Sequence, residues 1–188
     1  MPTSKIFCIG LNKTGTASLH FALKRLGYKS LHNHSYNDRI HYAIIEGKPL
    51  LHYFDEEFDA YLDLSGIRGY FKLADLQYPN SKFILTVRDL QSWLESRMQH
   101  VRQNVQNKSL GKYSGSWLEI DFARWERMWY SHQQDVLNYF SKKNNLLIFN
   151  IVAGEGYELL CPFLGKPVLN ETFPWKNAGS NTTHGKFQ

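Results

Sequence analysis

The stretch from Ile6 to Ser18, IFCI followed by GLNKTGTAS, decides the fold class. Its first four residues form a short apolar run that stops at Gly10, the pattern of a buried strand. Residues 11–15 are small or polar and read as a loop bounded by glycine. From Thr16 the apolar residues recur at Leu19, Leu23 and Leu26, one face of a helix that stops at Gly27. A strand, a glycine-bounded loop and a helix start turn backbone N–H groups towards an anion. Lys13 adds a point charge, and the Thr14, Thr16 and Ser18 hydroxyls add donors.

Outward from this stretch, strands and helices continue to alternate. A second short strand ends near Leu31, and residues 41–46 look helical. Residues 61–64 (YLDL) read as a strand end, and residues 70–78 as a helix stopped by Pro79. Residues 82–87 (KFILTV) are the clearest buried strand, and Asp89 can cap the helix that follows, which carries Trp93, Leu94, Met98 and Val101. Residues 108–116 read as a loop. Phe122, Trp125, Trp129, His132, Val136 and Tyr139 then recur at helical spacing. Residues 146–149 (LLIF) form another buried strand, and residues 157–164 a short helix, with an irregular tail after Pro167. Such alternation predicts an α/β domain with a central, mostly parallel sheet. Ligands in these sheets bind at the carboxyl ends of the strands. The loops after Ile9, Leu64 and Val87 therefore matter most.

Composition bounds the rest. The chain has 188 residues, 43% apolar and 21% charged, which excludes a collagenous, coiled-coil or wholly disordered polypeptide. Its length suits a single domain, 1–188, with an ordinary core. The formal charge of +5 favours anionic ligands, but the basic residues are scattered and form no nucleic-acid-binding tract. Cys8 and Cys161 make neither a disulfide framework nor a metal-binding pair. Residues 1–5 run straight into the first strand, so neither a signal peptide nor a transmembrane segment is expected. The expectation is a soluble, cytoplasmic protein.

The spacing from Gly10 to Gly15 matches the start of a P-loop, G-x-x-x-x-G-K-[ST], but the next two positions differ. Thr16 stands where the lysine belongs, and Ala17 where the metal-binding hydroxyl belongs. The loop can hold phosphate oxygens but lacks the metal-linked parts that split a triphosphate. The expected fold is thus a P-loop-like three-layer α/β domain.

Lys13-Thr14-Gly15-Thr16 after a strand resembles the 5′-phosphosulfate loop of the sulfotransferases that use 3′-phosphoadenosine 5′-phosphosulfate (PAPS). In that family the lysine precedes the glycine and no metal is needed. A strand ending in Arg with Ser eight residues later is the family's second signature, and the chain has Arg88 and Ser96. The tail, with Phe163-Leu-Gly-Lys-Pro167, Phe173-Pro174 and Asn177, is similar to a small microbial branch. Asn12 departs from the family's usual Pro, and Ala17 from a frequent Thr. The Arg-Lys-Gly loop of animal cytosolic members is absent; only Lys176, Gly179 and Lys186 lie in that region. The resemblance implies PAPS as co-substrate, adenosine 3′,5′-bisphosphate as product and no metal. It implies that Lys13, Thr14, Gly15, Thr16, Ala17 and Ser18 hold the 5′-phosphosulfate, and Arg88 and Ser96 the 3′-phosphate. Lys13 would also act in catalysis.

Several residues keep two readings. Arg88 is a phosphate ligand or a structural partner of Asp89 or Glu95, and Ser96 a ligand or a neutral helix serine. Asp63 is the base that takes the acceptor's proton, or a capping or salt-bridging carboxylate. His20 reaches the acceptor or lies on the surface. His32, His34 and His41 form a polar loop more readily than a zinc site. His132 reads as a core histidine, and Trp125 and Trp129 as core. Phe173 and Trp175 are candidates for stacking on adenine. The expected activity moves a sulfuryl group to an acceptor hydroxyl or amine of a glycan, a lipid headgroup or a small metabolite. Its rivals are a kinase with a degenerate P-loop and a non-catalytic nucleotide-binding module. The acceptor pocket is expected from residues 31–58 and 107–120.

Overall fold

The computed structural model describes residues 4–54 and 57–176. Five parallel strands form one sheet: β1 (Ile6–Cys8), β2 (Ser30–His32), β3 (Ala60–Leu62), β4 (Lys82–Thr86) and β5 (Leu146–Phe149), in the order β2-β3-β1-β4-β5. The helices are α1 (Thr16–Arg25), α2 (Asn37–Ile45), α3 (Ser65–Gly69), α4 (Phe71–Gln77), α5 (Leu90–Ser109), α6 (Phe122–Phe140) and α7 (Tyr157–Leu164). The expected α/β architecture is present, and every strand pairing is parallel.

Strand alternation divides the core between the two faces of the sheet. In and just after β1, Phe7 and Ile9 pack with Tyr61, Phe83 and Leu85 against Ile40, Ile67, Phe71, Val136 and Phe140. That layer comes from α2, α3, α4 and α6. Ile6 and Cys8 face the other way and pack with Leu62, Ile84 and Phe149 against Leu19, Leu23, Leu160 and Cys161 of α1 and α7. A third cluster, Leu11, Trp93, Leu94, Val101 and Trp125, joins α5 and α6 to the loop after β1. This is the three-layer arrangement.

Two elements exceed the expectation. α2 begins at Asn37, behind a 3-10 turn over His34–Tyr36 that Asn33 caps by accepting from Ser35 N–H at 3.0 Å. α3 has only five residues, two of them glycine, and no helical periodicity announces it. Packing makes it: a Cβ on Gly66 would stand 2.7 Å from Ile40 Cγ2, so α3 sits directly on α2. Asp89 caps α5 as expected, its Oδ1 accepting from Ser92 N–H at 2.9 Å.

The chain after α7 returns to α1. Arg25 donates to the Thr172 carbonyl at 3.0 Å, and Lys176 N–H donates to Ser18 Oγ at 3.0 Å. Asn177, Gly179 and Lys186 lie outside the described residues. Among the described residues no helix is long and apolar enough to cross a membrane.

Candidate active site

β1 and β4 are neighbours, but the chain leaves them in opposite directions. From β1 it passes through α1 towards β2, and from β4 through α5 and α6 towards β5. A crevice opens where connections diverge in this way, at the carboxyl ends of the strands. The loop at residues 9–15 and the Arg88 segment form its two walls.

The first wall is wound tightly. A Cβ on Gly10 would lie 2.0 Å from Thr86 Oγ1 and 2.5 Å from the Thr86 carbonyl, so only glycine lets this loop cross the end of β4. Lys13 has φ 68 and Gly15 φ 97, both left-handed. For lysine that geometry costs about 1–2 kcal/mol, and such strain gathers at functional sites. The first helical bond runs from Leu19 N–H to the Gly15 carbonyl. Among the described residues nothing accepts from the backbone N–H groups of residues 13–18, which leaves a nest of donors at the start of α1.

The hydroxyls behave differently from the expectation. Thr14 turns inward: its Oγ1 bonds the Leu11 carbonyl and lies 2.6 Å from Thr86 Oγ1. Ser18 accepts from Lys176 N–H, and Thr16 Oγ1 lies 3.1 Å from His32 Nε2. At Thr14 and Ser18 the hydroxyl therefore holds the fold, and the backbone N–H is the free donor. The Lys13 ammonium has no ion pair among the described residues. Burial pushes its pKa below the ordinary lysine value; Asp63 opposes this, and Arg88 and Arg97 add to it.

The long helices hold this wall from behind. Trp93 Nε1 donates to the Asn12 carbonyl at 2.8 Å, and Arg97 Nη1 to Asn12 Oδ1 at 2.7 Å. Arg97 is buried among three indoles, 4.8 Å from Trp93, 4.9 Å from Trp117 and 4.6 Å from Trp125. Burial first, then the charges of Arg68 and Arg124, push its pKa down to about 10. His132 Nε2 donates to the Ile9 carbonyl at 2.6 Å, which bears out its reading as a satisfied histidine of the helix face. Burial pushes the pKa of this ring below the ordinary histidine value, against the Ile9 carbonyl.

On the second wall Arg88 pairs with neither Asp89 nor Glu95. Its Nε donates to Ser92 Oγ at 2.9 Å and its Nη1 reaches the Lys13 carbonyl at 3.4 Å. Trp129 Nε1 holds the Arg88 carbonyl at 3.2 Å. Ser96 lies one turn beyond Ser92 on α5, half-buried and without a hydrogen bond among the described residues.

Asp63 follows β3, also at a carboxyl end, with φ 57. It makes no hydrogen bond or ion pair among the described residues, so it neither caps α3 nor bridges. It acts electrostatically on Lys13 and on Arg68 of α3. Its position brings it to the same cluster as the phosphate loop. Cys8, just beneath, is a buried thiol pushed up to about 11 and carries no nucleophile.

Of the other candidates, His32 stays beside the loop through Thr16, with His20 next to it. His20 Nδ1 pairs with Ser30 Oγ at 2.9 Å and its ring lies 5.6 Å from His32. His34 and His41 are exposed. Among the described residues no cluster of His, Cys, Asp and Glu gathers to hold a metal. Phe173 is core, tilted against Tyr157 at 5.0 Å, rather than a free stacking surface; Trp175 is exposed. Sequence reasoning missed Arg68, Thr86, Ser92 and Arg97. For Thr86 a signal existed: a polar residue within the apolar run KFILTV.

A family model described as a sulfotransferase domain matches residues 5–131 and 112–182 of the chain. No curated protein matches it.

Proposed function

The chain belongs to the sulfotransferase domain family, and we propose that it takes PAPS as donor and transfers its sulfuryl group to an acceptor hydroxyl or amine. The observation that carries this reading is the pairing of two anion sites across the β1–β4 crevice. One is the nest of free N–H groups over residues 13–18 with the unpaired Lys13 ammonium. The other is Arg88, which makes no ion pair among the described residues although Asp89 and Glu95 act on it electrostatically, with Ser96 beyond it. Two anion sites suit a nucleotide with phosphate at both the 5′ and the 3′ positions. Thr16 and Ala17 supply neither the lysine nor the metal-binding hydroxyl of a triphosphatase.

In this reading the bond between sulfur and the bridging oxygen of the phosphosulfate breaks while the acceptor's oxygen or nitrogen bonds to sulfur. The acceptor proton passes to Asp63 and then to solvent. The products are adenosine 3′,5′-bisphosphate and a sulfate ester or sulfamate. Catalysis is mainly positioning and charge stabilisation. Lys13 neutralises the negative charge that grows on the bridging oxygen. The Asn12, Ile9 and Arg88 carbonyl anchors keep the donor site rigid before substrate arrives.

The test separates the two phosphates. Arg88→Ala should cost about 2 kcal/mol or more of adenosine 3′,5′-bisphosphate binding, the worth of a charge-assisted contact. Binding of adenosine 5′-phosphate, which lacks the 3′ group, should barely change. Equal losses for both ligands would make Arg88 a structural residue.

A further inference from the structure

Arg68 is a sheltered guanidinium in the crevice with no hydrogen bond or ion pair among the described residues. It is partly buried, and none of its nitrogens is sealed from solvent. The other two arginines of the cluster are engaged: Arg88 by Ser92 and the Lys13 carbonyl, Arg97 by Asn12 and three indoles. The place of Arg68 is fixed. It sits in α3, which Gly66 seats against Ile40 and which Gly66 N–H ties to Asn37 Oδ1 at 3.2 Å.

The local charge does not balance. Arg88 and Arg97 act on Lys13, and Arg68 and Arg124 on Arg97; Asp63 opposes at Lys13 and Arg68, and Asp89 and Glu95 at Arg88. His100 and His132, which also face the cluster, are both held towards the neutral form by burial. Sheltered like charges are costly unless an anion completes them. Under the donor assignment above, on which this inference rests, Lys13 and Arg88 serve the nucleotide. α3, which carries Arg68, follows β3 instead, on the far side of β1 from β4; Asp63, the candidate base, acts on this guanidinium, which in turn acts on Arg97 and His132. The free planar fork of Arg68 matches a carboxylate or a phosphate.

We propose that Arg68 binds the acceptor, and that the acceptor is an anionic molecule carrying a carboxylate or phosphate monoester beside the hydroxyl or amine that is sulfated. The rival role is contact with the sulfuryl group itself, which would not depend on the acceptor's charge.

The test starts with full-length protein saturated with adenosine 3′,5′-bisphosphate. Three probes are titrated by calorimetry: 4-hydroxyphenylacetate, 4-hydroxyphenyl phosphate and the neutral 4-hydroxyphenylacetamide. The wild type should bind an anionic probe at least about tenfold more tightly than the amide. Comparison of the two anions tells carboxylate from phosphate. Arg68→Gln should abolish the preference with unchanged bisphosphate affinity, and Arg68→Lys should keep part of it. With any probe that is sulfated, Arg68→Gln should raise KM for the anion and leave kcat for the neutral acceptor. No preference in the wild type, or a preference that survives Arg68→Gln, overturns the proposal. So does a loss of kcat with the neutral acceptor. If Arg68→Gln does not fold, the wild-type preference and its reduction in Arg68→Lys decide the matter. Failure of the wild type to bind the bisphosphate appears before any probe is added; it removes the donor reading, and this inference with it.

Discussion

At the ends of β1 and β4 the backbone is held from behind by side chains of α5 and α6: Trp93 and Arg97 on Asn12, His132 on Ile9, Trp129 on Arg88. At the end of β3 the backbone of α3 is seated on α2 through Gly66, but the Asp63 and Arg68 side chains make no hydrogen bond or ion pair among the described residues. The two regions lie at the same edge of one sheet, yet one is committed and the other open. A donor that is the same in every turnover rewards a site built in advance, because little ordering remains to be done on binding. Charged groups kept free of internal partners suit the reacting, variable half of the reaction. Under the proposed function, rigidity belongs to the nucleotide side, and chemistry with acceptor choice to the β3–α3 corner.

The largest effect should come from the open region. Asp63→Asn should lower turnover by roughly 10² to 10⁴, the usual value of general-base help, with thermal midpoint and bisphosphate affinity kept. Turnover near that of the wild type would remove Asp63 as base. Loss of folding would place Asp63 with the structural residues and erase the contrast.

The committed region should show the reverse pattern, with stability lost first. Gly10→Ala drives a methyl into Thr86 backbone and side-chain atoms. It should cost about 3 kcal/mol in denaturant unfolding, the upper range for overpacking. An unchanged midpoint would mean that the loop does not cross β4 as described.

A smaller effect isolates the strain at Lys13. Lys13→Gly and Lys13→Ala should both weaken bisphosphate binding. Lys13→Gly should nevertheless be more stable than Lys13→Ala by about 1 kcal/mol, since glycine accepts the left-handed φ of 68. Equal stabilities would show that this backbone is not strained.

The smallest effect is on pH dependence. Burial is the main cause that lowers the pKa values of His20, His100 and His132. The unfolded chain therefore takes up protons first, near pH 6.5 or about the ordinary histidine value. Stability should be full above that pH and fall as pH drops through it towards the folded-state values. His132→Gln keeps a donor for the Ile9 carbonyl and should flatten part of that fall. Thermal midpoints that rise on acidification over this range would contradict the assignment.

The committed region was the more legible in the sequence. Residues 6–18 and 82–96 announce strand, turn and helix through apolar runs, glycines and a capping Asp89. The parallel sheet and both candidate phosphate walls follow from them. What stayed hidden depends on packing between distant segments. α3 has no periodicity and exists because Gly66 meets Ile40. Nothing in the spacing of Thr14 says that its hydroxyl turns towards Thr86, 72 residues away. Arg97 occupies a position on α5 that reads as surface until Trp117 and Trp125 close around it. Arg68 was invisible for the same reason as α3, which carries it.

The central claim is a metal-independent site for a nucleotide with 5′ and 3′ phosphates, and thermal unfolding in EDTA tests it most directly. Adenosine 3′,5′-bisphosphate at a hundred times its dissociation constant should stabilise the wild type by roughly 2.7 kcal/mol. Lys13→Ala at the same ligand concentration should show much less, and ATP should do little with or without magnesium. A shift that appears only with ATP and magnesium, and none with the bisphosphate, would contradict the account and favour a kinase.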